Sequence, residues 1–149
     1  MKKIVTYFSA SGRTERKAKE LAELIGADLF EIQPETPYTK ADLNWLNPKS
    51  RSSVEMKNTS SRPALKKKDF DFSTYEEVYI GFPIWWYTAP TIINTFLETY
   101  DFSGKVIRLF ATSGGSGIEK ACKDLASQYP SLHIAGGRLI KGKVKGDFI

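Results

Sequence analysis

No stretch of this 149-residue chain holds the run of about 20 apolar residues that a membrane-spanning helix requires. Cysteine and histidine are almost missing, with one of each, Cys122 and His133. A lone cysteine forms no internal disulfide, the usage expected of a reducing compartment. One Cys and one His also fall short of a structural zinc site, so metal chemistry is not expected. The opening Lys2–Ser9 has too short an apolar part for a signal peptide and no small-residue cleavage site, so a cytoplasmic location away from membranes is expected. Several nucleotide and phosphate motifs are missing too. There is no G-x-x-x-x-G-K-[ST], and no G-x-G-x-x-G follows the first apolar run. Phe8-Ser9-Ala10 lacks the acidic residues of a phosphoryl receiver, and the loop that follows lacks the cysteine of a small tyrosine phosphatase.

What is present reads as one globular domain, 1–149, with 41% hydrophobic and 26% charged residues. The net charge is +5, much of it in Lys66-Lys67-Lys68 and in Lys141, Lys143 and Lys145. Such runs are usually solvated surface, and they favour an anionic partner only weakly. No helix-turn-helix, zinc finger or aromatic RNA-binding signature accompanies them, so nucleic acid is not an expected partner.

Ile4–Phe8 is a β-branched and aromatic run that ends in the polar loop Ser9–Thr14. Ala18, Leu21, Ala22 and Ile25 follow at helical spacing, and Gly26 punctuates the end. Asp28–Ile32 is a second strand, giving a strand-helix-strand unit. Val78–Phe82 is a third, closed by Pro83, and Pro90 suits a first helical turn before the stripe Ile92, Ile93, Phe96, Leu97, Tyr100. Val106–Ala111 is a fourth strand. Ser116 and Glu119 stand at capping-box spacing ahead of Ile118, Ala121, Cys122, Leu125, Ala126 and Tyr129. Leu132–Ala135, with Leu139-Ile140, supplies a last strand. Alternating strands and helices predict a parallel sheet covered on both faces. The polar segment Gln33–Leu65 is the exception, with only a short helix expected near Ala41–Leu46.

In an open parallel sheet, ligands bind beyond the C-terminal strand ends. Three loops leave such ends. In the first, Ser9, Ser11 and Thr14 offer hydroxyls, Gly12 permits close backbone approach, and Arg13 adds charge at a helix N-terminus. That set suits a terminal phosphate; the alternative is a helix capped by Ser11. In the second, Pro83, Ile84, Trp85, Trp86 and Tyr87 offer flat rings that either stack on a planar ligand or fill core space. In the third, Thr112, Ser113, Gly114, Gly115, Ser116 and Gly117 offer amides to a ligand edge or form only a tight turn. Cys122 lies on the apolar stripe of the following helix and reads as a buried structural cysteine. His133 has no visible role.

Together the three loops resemble the flavodoxin family over most of the chain except Gln33–Leu65. Tyr7-Phe8-Ser9-Ala10-Ser11-Gly12-Arg13-Thr14 is similar to the family's phosphate loop S-x-[TS]-G-x-T, and Gly81–Pro90 to the middle loop of a short subfamily. The resemblance implies a flavodoxin-like three-layer α/β sandwich with a five-stranded parallel sheet in order 2-1-3-4-5. It implies FMN as cofactor, its phosphate among Ser9–Thr14 and its ring against Pro83–Tyr87 and Thr112–Gly117. The implied function is electron transfer with a redox partner protein or a small-molecule acceptor. Three departures stand out. Arg13 replaces a frequent Asn, the chain is basic where carriers are acidic, and no segment remains for the family's final helix. That last departure leaves two readings: the helix is lost, or a second copy covers the sheet face. The alternative activity is an NAD(P)H-dependent FMN reductase of quinones, nitro or azo compounds. A flavin-free interaction domain is the alternative from another class.

Overall fold

The computed structural model describes residues 2–66, 69–113, 115–142 and 144. Gly114, Lys67, Lys68, Lys143 and Lys145, singled out above, lie outside the described residues, as does the rest of 145–149. The elements run β1 (Lys3–Tyr7), α1 (Arg13–Ile25), β2 (Asp28–Glu31), α2 (Arg51–Lys57), β3 (Glu77–Pro83), α3 (Thr91–Thr99), β4 (Val106–Thr112), α4 (Glu119–Gln128) and β5 (His133–Leu139). The sheet order is β2-β1-β3-β4-β5, with every neighbouring pair parallel. This is the α/β architecture and strand order expected.

The register aligns Ile4 with Val78 and Val78 with Ile107, and likewise Thr6 with Ile80 and Ile80 with Leu109. Alternate residues then build two cores. Ile4, Val78, Ile80, Ile107 and Leu109 pack with Ile92, Ile93 and Phe96 of α3 and with Ala121 and Leu125 of α4. Val5, Tyr7, Tyr79 and Phe110 pack with Ala18, Leu21 and Ala22 of α1. Strands buried on both faces must read as continuous apolar runs, which is why β1, β3 and β4 stand out in the sequence.

On the α1 face, Ile140 and Val144 return from the end of β5 and join the second core. Nearer the N-terminal strand ends that face is ionic. Lys3 Nζ lies 3.4 Å from Glu77 Oε2, and Arg108 lies 3.4 Å from Glu77 Oε1. Ile140 and Val144 of the chain itself thus cover part of the α1 face. Close packing on this face depends on one glycine. The Phe110 ring lies over Gly81, its register partner, so a Cβ at Gly81 would come within 2.1 Å of Phe110 Cζ.

The segment from 33 to 65 differs from expectation. Residues 39–44 form turns rather than the helix expected at Ala41–Leu46. Thr39 and Asp42 exchange side-chain-to-backbone bonds at 2.9 and 3.1 Å. The helix lies further on, as α2, capped by Ser50, whose side chain accepts from the Ser53 amide. β5 is one continuous strand through Gly136 and Gly137 rather than two apolar patches. An aromatic cluster of Phe30, Phe70, Phe72, Phe96 and Phe102, with centroids from 4.6 to 6.1 Å apart in contacting pairs, anchors the chain ahead of β3.

Candidate functional site

The first loop leaves β1 and turns directly into α1. Ser9 Oγ accepts the Gly12 amide at 3.0 Å, and Gly12 takes φ 91°, a left-handed conformation that costs glycine nothing. Gly12 is the N-cap, and no side chain caps α1, so Ser11 does not play that part. The amides of the first helical turn, from Arg13 to Glu15, thus lack a capping partner where the helix dipole is positive. A Cβ built on Gly12 would meet nothing within 4 Å. An open floor below uncapped amides, flanked by exposed Ser11 and half-buried Arg13, suits a phosphate monoester. Arg13 forms no ion pair among the described residues.

Thr14 sits lower than the sequence implied. It is buried, and its hydroxyl pairs with that of Thr112 at 2.8 Å. This bond ties the start of α1 to the end of β4 and joins the first loop to the third.

The second loop follows Pro83, the last residue of β3. The Ile84 amide bonds Thr112 O at 2.9 Å, holding the loop to the end of β4. Trp85 and Thr88 exchange backbone bonds at 2.9 and 3.0 Å across a two-residue turn. The turn residues are Trp86 (φ 49°) and Tyr87 (φ 68°), the described non-glycine residues with positive φ. Bulky side chains avoid this region, at a cost of about 1–3 kcal/mol each, and such strain collects at binding sites. It turns both rings outward: Trp86 is 43% and Tyr87 65% exposed. Trp85 faces inward, edge-on to Phe8 (5.7 Å) and to Tyr38 (5.5 Å). The sequence left stacking and core packing open for these rings; Trp85 packs against Phe8 and Tyr38, while Trp86 and Tyr87 stand exposed at the crevice loop.

In the third loop, Ser113 Oγ accepts from the amides of Gly115 (3.1 Å) and Ser116 (2.8 Å). Those amides are used inside the loop, a tight turn of the kind the composition allowed. The expected Ser116–Glu119 capping box does not form. α4 has Ile118 as its N-cap with no side-chain bond, and the Glu119 carboxylate folds against Gly117. Cys122 is half-buried beside Gly137; burial and then Glu119 push its thiol pKa up, which disfavours the thiolate.

The second and third loops share a cavity of about 520 Å³. Ile84, Trp85, Trp86, Tyr87, Ser113, Gly115 and Ser116 line it, and so do Leu43, Trp45 and Ser52 from the segment ahead of and within α2. Ser9–Thr14 are not part of this lining; they adjoin it through the Thr14–Thr112 bond. Leu43, Trp45 and Ser52 were not singled out from the sequence as cavity-lining residues. Trp45, an isolated tryptophan in a polar stretch and 69% exposed, was the signal that pointed to that segment. Another cavity, of about 440 Å³, opens beside Phe70–Ser73 and Tyr100–Lys105 at the opposite strand ends, away from all three loops. Among the described residues no cluster of His, Cys, Asp and Glu could hold a metal, and no helix is long and apolar enough to cross a membrane.

A family model described as flavodoxin matches residues 2–149. The chain belongs to the flavodoxin family. A protein from Bacteroides uniformis whose crystal structure is described as that of a flavoprotein is 50% identical to this flavodoxin-family chain, with a TM-score of 0.95. The match covers 99% of this chain and 94% of the other. A similarly described protein from Bacteroides eggerthii is also 50% identical, with a TM-score of 0.92 over 93% of this chain and 87% of that one. A flavoprotein from Lactobacillus acidophilus, solved in complex with FMN, shares the fold at 21% identity and a TM-score of 0.72, covering 93% and 92%. Among curated proteins, none matches this sequence.

Proposed function

We propose that this flavodoxin-family chain binds one FMN without a covalent link and transfers electrons through it. One observation carries the reading: an uncapped helix N-terminus over an open Gly12 stands beside an aromatic-lined cavity, joined to it by the Thr14–Thr112 bond. Phosphate and ring then have adjoining sites of the right chemistry. The amides of Arg13–Glu15, Ser11 and Arg13 would hold the phosphate. Ile84–Tyr87, Ser113, Gly115 and Ser116 would hold the ring and shield it from water. FMN, when bound, supplies the redox chemistry; the protein supplies position and electrostatics. No side chain is needed as acid, base or nucleophile.

The donor and acceptor are a redox partner protein or a small molecule. The wall at Leu43, Trp45 and Ser52 favours a second reading, a reductase that admits NAD(P)H and a quinone, nitro or azo compound beside the ring.

Titration with FMN, followed by flavin fluorescence, tests the first reading. Saturable one-to-one binding at micromolar concentration is expected. FMN should bind at least about tenfold more tightly than riboflavin, since each charge-assisted phosphate bond contributes about 1.5–3 kcal/mol. Gly12→Ala, which puts a methyl group on the open floor at φ 91°, should erase much of that preference. Absence of saturable binding leaves the flavin-free interaction domain. Turnover of NADH or NADPH with a quinone selects the reductase; reduction only by a partner protein selects the carrier.

A further inference from the structure

The serines of α2 differ in how their hydroxyls are satisfied. Ser50 Oγ donates to Ser53 Oγ at 2.9 Å and accepts the Ser53 amide at 3.4 Å. Ser61 Oγ, just beyond the helix, pairs with Thr91 Oγ1 at 2.9 Å. Ser52 is 2% exposed and its hydroxyl has no partner. Buried hydroxyls are rarely left this way, because losing water without gaining a bond is unfavourable. Ser52 also lines the aromatic cavity, together with Ile84–Tyr87, Ser113, Gly115 and Ser116.

Its place there is firmly set. The Ser52 amide bonds Asp42 O at 3.0 Å, fixing α2 to the turns at 39–44. Tyr38 donates to Glu55, the Arg51 guanidinium lies 3.8 Å from the Tyr38 ring centroid, and Arg51 Nε is 3.0 Å from Glu55 Oε2. Tyr38 in turn packs edge-on against Phe8 (5.6 Å) and Trp85 (5.5 Å). The chain of contacts runs from α2 through Tyr38 to the crevice loops.

We propose that Ser52 is a ring-binding residue, its hydroxyl meeting a polar group on the edge of the isoalloxazine. A hydroxyl both donates and accepts, so it serves a ring carbonyl, a ring nitrogen or the ring imide. α2 is then the third wall of the ring site, reached from the connection between β2 and β3 rather than from a loop at a C-terminal strand end. The inference rests on the flavin reading above.

Ser52→Ala tests it with four measurements: affinity for FMN, for riboflavin and for lumiflavin, which keeps the ring without the ribityl chain, and the melting temperature of the apoprotein. All three flavins should weaken alike, by about three- to tenfold, the factor of one neutral hydrogen bond. The apoprotein should melt at the same temperature or higher, because the variant removes a buried hydroxyl that no protein group satisfies. Opposite signs in the two measurements are the signature. Unchanged flavin affinities overturn the proposal, as does weakening of FMN and riboflavin with lumiflavin unaffected, which would assign Ser52 to the ribityl chain. A lowered apoprotein melting temperature overturns it too, since the hydroxyl would then serve the fold. If wild-type protein binds no flavin, the FMN reading itself fails, which is a separate result.

Discussion

Thr14→Val isolates the bond between the first and third loops. Valine keeps the shape of threonine and the backbone amide, and removes only the hydroxyl. Thr14 and Thr112 are both nearly inaccessible, with their Oγ1 atoms 2.8 Å apart. The variant therefore leaves the Thr112 hydroxyl buried. Leaving one polar group unsatisfied costs about 1–3 kcal/mol, more than the net worth of the bond. Urea unfolding of the apoprotein reads this directly. With a slope of about 1–3 kcal/mol per molar urea, the midpoint should fall by roughly 1 M. Thr112→Val should cost a similar amount. The double variant removes both partners, so it should lose less than the sum of the single variants, a coupling of about 0.5–3 kcal/mol. Strictly additive losses, or single variants as stable as wild type, would refute the view that this pair clamps the loops.

The strained turn gives a prediction of opposite sign for stability and binding. Replacing Trp86-Tyr87 by Asn-Gly, the pair best suited to two consecutive positive φ values, should raise apoprotein stability by about 1 kcal/mol in urea and weaken FMN several-fold. A gain in both, or a loss in both, would show that the rings do not trade strain for binding. Alkaline unfolding supplies another test. Burial, aided by Glu31 and Glu15, pushes the Tyr7 pKa up to about 12, and the 2.6 Å bond to Asp28, with burial, does the same for Tyr75. The folded state keeps these protons where the unfolded chain has lost them, so this contribution is fully present below the ordinary tyrosine value of 10.0 and is lost as pH rises toward about 12. The apoprotein urea midpoint should fall across that window, and Tyr75→Phe should flatten part of the slope.

Much of the fold was readable because the parallel sheet imposes a simple code. β1, β3 and β4 are buried on both faces, and α1, α3 and α4 carry apolar stripes. α2 was not readable, because the side chains it buries are Ser52 and Ser53 while Val54 is exposed, so the helix has no hydrophobic period. It is held by a serine cap and the Tyr38–Arg51–Glu55 group, which spacing rules do not detect. The turn from β1 into α1 at Ser9–Thr14 was legible from local chemistry. The Thr14–Thr112 bond was not, since its partners lie 98 residues apart. The capping box at Ser116 failed for a local reason: Ser113 Oγ takes the Ser116 amide.

Gly81 and Phe110 bear on how this lineage can change. The ring on β4 occupies the space that a side chain on β3 would need, so each residue sets the terms for the other. Adding a methyl group at Gly81 first forces the ring out of a close-packed layer. Shrinking Phe110 first leaves a hole over bare backbone. Either order passes through a less stable intermediate, so the two positions should be inherited as a pair. A descendant that escapes the pairing should carry both replacements together.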